Sequence, residues 1–187
     1  MTGFQIIAIF AAFLVMNALQ ERSFKERALE IKGRLAVPEP LFRLGRLSLV
    51  FAWLLSIVQA AGVDLRFVAP CRFCETAALL LFYAGFAVAV ASYRFLGDAN
   101  KIGLPEERTV LVTGGIYRFM RNPLYTGLFL IDIASCLYTL NPLTLVLTLT
   151  AMAVYHRIVK AEEDFLAARF GAEYESYKRR VRRYFFF

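Results

Sequence analysis

Residues 121–163 read RNPLYTGLFLIDIASCLYTLNPLTLVLTLTAMAVYHRIVKAEE. Two apolar runs, 123 to 140 and 142 to 158, are parted by Asn141-Pro142, a pair that ends one helix and starts the next. The stretch predicts an antiparallel hairpin of two helices. A hairpin returns to the surface it left. Arg121–Tyr125, where it enters, and Arg157–Glu163, where it leaves, therefore become neighbours despite their distance along the chain.

Working outward, three more apolar stretches precede the hairpin, at 3 to 19, 47 to 63 and 76 to 92. Of the 187 residues 59% are hydrophobic and the mean hydropathy is +0.54, well above a soluble domain's usual share of about half. At about 1.5 Å rise per residue, runs of 17 or 18 residues span a core about 30 Å thick only with help from their flanks. The expected fold class is an all-α integral membrane protein with about five transmembrane helices. It divides into an N-terminal region of three spans, residues 1–100, and a C-terminal region, 101–187.

Charge sets the expected orientation. Arg22, Lys25, Arg27, Lys32, Arg34, Arg43 and Arg46 lie between the first two runs, and Arg94, Lys101, Arg108, Arg118 and Arg121 between the third and fourth. Arg157, Lys160, Arg169, Lys178, Arg179, Arg180, Arg182 and Arg183 follow the fifth, leaving Arg66 and Arg72 for the other side. The positive-inside rule then puts the N-terminus outside and the C-terminus in the cytoplasm, and the expected location is a bacterial inner membrane. The net charge of +7 is mostly this topology signal. It is spread along membrane flanks without a nucleic-acid module, so the expected partners are membrane lipids and no nucleic acid.

The first run has no basic residue before it and no small-x-small site after it, and reads as an uncleaved anchor rather than a secretory signal. Residues 20 to 46 hold a charged segment that predicts a helical continuation of this run, broken by Pro38 and Pro40. Cys71 and Cys74 form a C-x-x-C in a short outer loop. Incidental thiols or a local disulfide explain them better than redox catalysis, since no thioredoxin-like pattern surrounds them. Cys136 reads as a packing residue. One histidine, His156, and scattered cysteines support no metal site.

The connection from Tyr93 to Asn122 is far longer than the usual four to six residues, which points to a functional loop. Thr109-Val-Leu-Val-Thr113 is β-prone, and Gly114-Gly115 permits unusual backbone angles. After the hairpin, Leu166 and Phe170 share a helical face, and Gly171 is a natural cap. Tyr174, Tyr177, Val181 and Tyr184 then line one side opposite Lys178, Arg179, Arg182 and Arg183. That pattern predicts an amphipathic C-terminal helix lying on anionic headgroups and ending in Phe185-Phe-Phe187. Asp132 lies about 13 Å into the fourth run. It reads either as a polar contact between helices or as the wall of an acceptor tunnel.

Gly115-Ile-Tyr117-Arg-Phe-Met-Arg121-Asn122-Pro123-Leu-Tyr125, then Arg157, Glu162-Glu163 and Phe170-Gly-Ala-Glu-Tyr174-Glu-Ser-Tyr177, resemble the isoprenylcysteine carboxyl methyltransferase family from about Thr109 to Val181. The family's usual Arg-His-Pro-x-Tyr has Asn122 in the histidine place, which keeps hydrogen bonding but removes a group that titrates near neutral pH. The resemblance implies S-adenosylmethionine as cofactor, in a cytoplasmic pocket. The cofactor-binding residues it implies are Thr113, Gly115, Tyr117, Arg121, Asn122, Pro123, Tyr125, Glu162 and Glu163. Arg121, Glu162 and Arg157 are the implied catalytic residues, Arg157 matching a family arginine associated with the substrate's carboxylate.

Residue types agree with that implication. The cofactor's carboxylate, ammonium, ribose diol and adenine match arginine, carboxylate, backbone donors and aromatic faces. Without the resemblance, Arg-Asn-Pro is a positive flank with a helix-starting proline, the paired glutamates a solvated helix segment, and Arg157 a snorkelling side chain. The implied function is methyl transfer to a lipophilic small-molecule or lipidated acceptor, such as the carboxylate of an isoprenylated cysteine. Other acceptors are a lipid hydroxyl, phenol, amine or small thiol. A non-catalytic membrane transport protein centred on Asp132 is the alternative from a different class.

Overall fold

A computed structural model describes residues 2–26, 35–69, 71–96 and 110–185. Among them are six α-helices: α1 (Thr2–Glu26), α2 (Glu39–Ala60), α3 (Arg72–Leu96), α4 (Pro123–Thr139), α5 (Pro142–Phe170) and α6 (Ala172–Arg180), with a short 3-10 helix at Gly115–Arg118. Each of the five apolar runs falls on one of α1 to α5. Three helices, α2, α3 and α5, are long and apolar enough to cross a membrane, while Gly3–Leu19 and Pro123–Thr139 are shorter apolar helices.

Prolines start three of the helices, because the first turn has no use for the missing N–H. Pro123 and Pro142 open α4 and α5. Pro40 sits in the first turn of α2 behind the cap residue Pro38, so α2 begins eight residues before its apolar run. The α4–α5 turn is the expected tight one. Leu140 takes a left-handed conformation (φ 44°) that ends α4, and the Asn141 side chain caps α5 by accepting the Leu143 N–H at 2.8 Å.

α3 and α4 share the most extensive contact in the fold. Gly85 and Gly127 make it possible: a Cβ on either would lie 2.7 Å from the other's carbonyl oxygen. Small residues of this kind let apolar helices approach backbone to backbone. α2 packs on α5, and α1 lies over α2 and α3. The main core joins Ile6, Phe10, Phe82, Ile131 and Tyr138, with Trp53 against it.

One end of the bundle gathers the α2–α3 connection and the α4–α5 turn. Phe67 N–H donates to the Leu140 carbonyl at 3.2 Å, and the Asn141 amide donates to the Leu65 carbonyl at 2.7 Å. The opposite end gathers the 3-10 helix, the start of α4, the end of α5 and α6. Between them, the indole N–H of Trp53 donates to Asp132 Oδ1 at 2.9 Å, linking α2 to α4, while Oδ2 is buried without a partner among the described residues. Asp132 is thus a polar contact between helices.

Three expectations change. α6 stops at Arg180, and Val181–Tyr184 continues as a bent, non-helical segment, with Met120 and Arg182 in a parallel bridge. Tyr174, Tyr177 and Tyr184 are buried in protein (1%, 5% and 3% exposed) instead of facing headgroups. Residues 110–113 form no strand. Most of the long connection before them, including Lys101, Arg108 and Thr109, lies outside the described residues, as do 27–34 of the charged segment and Phe186-Phe187.

Candidate active site

The hairpin's two ends meet as its topology requires. Arg121, just before α4, grips Glu163 of α5 with two parallel bonds, Nε and Nη2 each at 3.1 Å from a carboxylate oxygen. Its Nη1 donates to the carbonyls of Lys178 at 3.1 Å and Val181 at 2.5 Å, tying down the segment after α6. Asn122 donates to Glu163 at 2.8 Å, and Arg183 adds two more bonds at 3.1 and 2.8 Å. Main-chain bonds from Arg121 and Asn122 to the carbonyls of Arg182 and Arg183 complete a clamp.

Glu163 is therefore saturated. Its side chain is 4% exposed and that of Arg121 8%. Burial works against its charge, but hydrogen bonds from Arg183 and Arg121 outweigh it and hold the carboxyl below the usual range. Pro123 is buried and starts α4. The Asn122 carbonyl accepts from the amide and hydroxyl of Thr126.

Glu162 differs. It lies beyond the apolar part of α5, partly buried, and accepts one hydrogen bond, from the Tyr125 hydroxyl at 2.8 Å. Its second oxygen has no hydrogen-bond partner among the described residues. Burial pushes its carboxyl up to about 7; the Tyr125 bond pulls the other way, and the neighbouring Glu163 charge adds to the rise. The Tyr125 ring packs on Tyr155 at 5.9 Å.

Tyr117, in the 3-10 helix, shares a 2.9 Å bond with Ser92 of α3, and its carbonyl accepts from Tyr177 at 2.6 Å. Burial raises the phenol to about 12, with Glu162 close enough to contribute. Gly115 has φ +57°, and the space its Cβ would need is filled by the Phe95 ring, so it serves packing rather than a ligand's approach. Gly114 beside it faces open space, and Thr113 is exposed at the lip.

Arg157 does not join this cluster. It is exposed, and at 3.6 residues per turn its five-residue offset from Glu162 points it about 140° away around α5. His156 bonds Tyr184 at 2.9 Å. No group of three His, Cys, Asp or Glu gathers for a metal among the described residues. An apolar groove of about 220 Å³ between α2 and α5, lined by Phe51, Leu54, Val58 and Leu143, lies toward the hairpin-turn end and not at this cluster.

Arg183 and Tyr184 are site residues that their sequence pattern assigned to the lipid surface. The usable signal was the second glutamate itself, since a buried carboxylate beside one arginine invites another cation.

Against known proteins, the sequence profile described as "Phospholipid methyltransferase" matches residues 73–173, more than half of the chain and all of the hairpin. This chain belongs to the phospholipid methyltransferase family. Similar proteins include those named protein-S-isoprenylcysteine O-methyltransferase from three organisms. The Dictyostelium discoideum protein is 34% identical over 38% of this chain and 31% of its own length. The Saccharomyces cerevisiae protein is 38% identical over 41% and 32%. The Schizosaccharomyces pombe protein is 28% identical over 72% and 52%. The chain thus matches about a third to a half of these relatives' length. They uphold the resemblance read from the Arg121–Tyr125 and Glu162-Glu163 motifs. Family membership and the three long apolar helices make this phospholipid methyltransferase family member an integral membrane protein.

Proposed function

We propose that this protein transfers a methyl group from S-adenosylmethionine to a lipophilic acceptor, foremost the carboxylate of an isoprenylated cysteine. The observation that carries the reading is the inequality of the two glutamates. Glu163 is saturated by a clamp that fixes the hairpin's ends, while Glu162 beside it keeps a free carboxylate edge. The names of the relatives supply the acceptor class.

The donor set fits the cofactor. Glu162 suits an ammonium or a ribose diol, the open side of Gly114 leaves room for close backbone approach, and Tyr117 and Tyr125 border the same carboxylate. Bound S-adenosylmethionine supplies a sulfonium methyl that needs no further activation. The chain's own part is to bind, align and exclude water. In this reading Arg121, Asn122, Pro123 and Glu163 build the frame, Thr113 and Gly115 border it and Glu162 touches the cofactor, while Arg157, turned away around α5, stays outside it. The chain crosses the membrane five times, with the site on the cytoplasmic face.

The test is direct. Millimolar S-adenosylmethionine should raise the melting temperature of the detergent-solubilised protein, and an S-farnesylated cysteine with a free carboxylate should be methylated. Absence of both sinks the reading. Arg157→Ala, outside the cluster, should leave both cofactor affinity and turnover near wild type.

A second reading, methylation of a hydroxyl, phenol, amine or thiol, is favoured by one observation: Glu162, raised to about 7, suits a general base near neutral pH. A carboxylate acceptor is already ionised and needs none. With S-adenosylmethionine saturating at every pH, a rate flat from pH 6 to 8.5 supports the first reading, and one rising through about 7 the second.

A further inference from the structure

The hairpin-turn end holds a pair of thiols that the methyl-transfer reading leaves without a task. α3 begins at Arg72, so Cys71 stands immediately before its first residue and Cys74 lies in its first turn. The Cys71 carbonyl accepts the Glu75 N–H at 2.9 Å, closing that turn. The Cys71 sulfur accepts the Cys74 N–H at 3.4 Å. Sulfur thus occupies the place where a serine or aspartate oxygen usually caps a helix.

Two further features separate the thiols from each other. The pairing of the two thiols lowers the pKa of Cys71 and raises that of Cys74. The positive end of a 25-residue helix also favours negative charge at Cys71. Glu75 opposes this, but its carboxylate is engaged by Arg66 at 2.9 Å. Both cysteines are partly exposed, with Phe73 between them 80% exposed, so a reagent can reach them. All three cysteines are free, and Cys136 sits apart within α4.

We infer that Cys71 and Cys74 form a thiol–disulfide exchange pair, Cys71 attacking and Cys74 resolving, that accepts oxidation from small-molecule disulfides. In the first step the Cys71 thiolate bonds to one sulfur of the external disulfide. The other sulfur leaves as a thiolate and takes a proton from solvent. In the second, Cys74 gives its proton to solvent and attacks the Cys71 sulfur, expelling the remaining external sulfur as a second thiol. The pair loses two electrons and two protons, and the external disulfide becomes two thiols. An i,i+3 pair at a helix start closes a short loop, and the Cys71 sulfur already lies against the Cys74 N–H.

The test uses the full chain, reduced and purified in detergent, with oxidised glutathione as probe. After acid quenching, free thiols are alkylated and peptides read by mass spectrometry. The wild type should form an intramolecular Cys71–Cys74 disulfide while Cys136 stays alkylatable. Cys74→Ser should accumulate a glutathione adduct on Cys71, and Cys71→Ser should react at Cys74 roughly tenfold more slowly. The idea is overturned if wild type collects adducts without closing the disulfide, or if Cys136 is oxidised as fast as the pair. Equal rates in the two single variants would equally remove the assigned roles. Wild-type closure is read without any variant, so a misfolded variant leaves the first readout intact.

Discussion

Because Glu163 accepts from Arg121, Asn122 and Arg183 while Glu162, among the described residues, accepts only from Tyr125, pH acts on these chain neighbours in opposite senses. Glu162 has its folded-state pKa raised from 4.5 to about 7, so its contribution to stability is complete below pH 4.5 and is lost as pH rises through about 7. Glu163, held low, contributes stability above 4.5 that disappears as pH falls through its folded value. Glu162→Gln should therefore be more stable than wild type at pH 8, by about 1–2 kcal/mol, and alike at pH 4. The same variant should bind S-adenosylmethionine about tenfold more weakly, and a wild-type affinity would remove Glu162 from the site. Glu163→Gln leaves Arg121 and Arg183 without a counter-charge. A loss of about 3–5 kcal/mol in unfolding measurements is expected at pH 7.

At the scale of elements, the segment after α6 is what differs most from expectation. Tyr184 packs against Phe129 and Val159 and bonds His156, which places the segment as a strap across α4 and α5. Tyr184→Ala should cost about 3–4 kcal/mol in thermal unfolding and Tyr184→Phe only about 1, since the ring's burial outweighs one hydrogen bond. Equal effects of the two would mean that the hydroxyl, not packing, holds the strap. The hairpin itself was legible, because Asn141-Pro142 carries a local signal and two apolar runs of nearly equal length can return only to one side. The Arg121–Glu163 meeting followed from it. The strap was not legible. Spacings of three and four after Tyr174 suit a helix, and what ends the helix at Arg180 is distant in sequence: the fork of Arg121 taking the carbonyls of Lys178 and Val181. Gly115 was legible as a glycine with a special backbone angle, though what fills the space beside it, Phe95, depends on how α3 packs.

At the scale of the molecule, the two ends have different tasks and the apolar bundle keeps them apart. In the proposed reaction a polar cofactor and an apolar acceptor meet at the Glu162 end, the first from water and the second from lipid. If the acceptor's tail is buried between helices, each added methylene contributes about 0.8 kcal/mol, or about fourfold in kcat/KM. Lengthening the acceptor by a few carbons should show that slope until the cavity fills, and a tailless analogue used equally well would exclude lateral entry. α5 gives the molecule a further property. Its 29 residues make a single rod of about 43 Å, and about 30 Å of it from Pro142 is needed to cross a bilayer's hydrocarbon, which brings the water boundary to the neighbourhood of Glu162. Such a rod works as a depth gauge. In vesicles of longer-chain lipids the boundary climbs past Glu162 and strands the carboxylate among acyl chains, whereas in thinner bilayers it stands clear in water. Turnover in reconstituted membranes should accordingly peak at one lipid chain length and fall on either side, making bilayer thickness itself a control on the reaction.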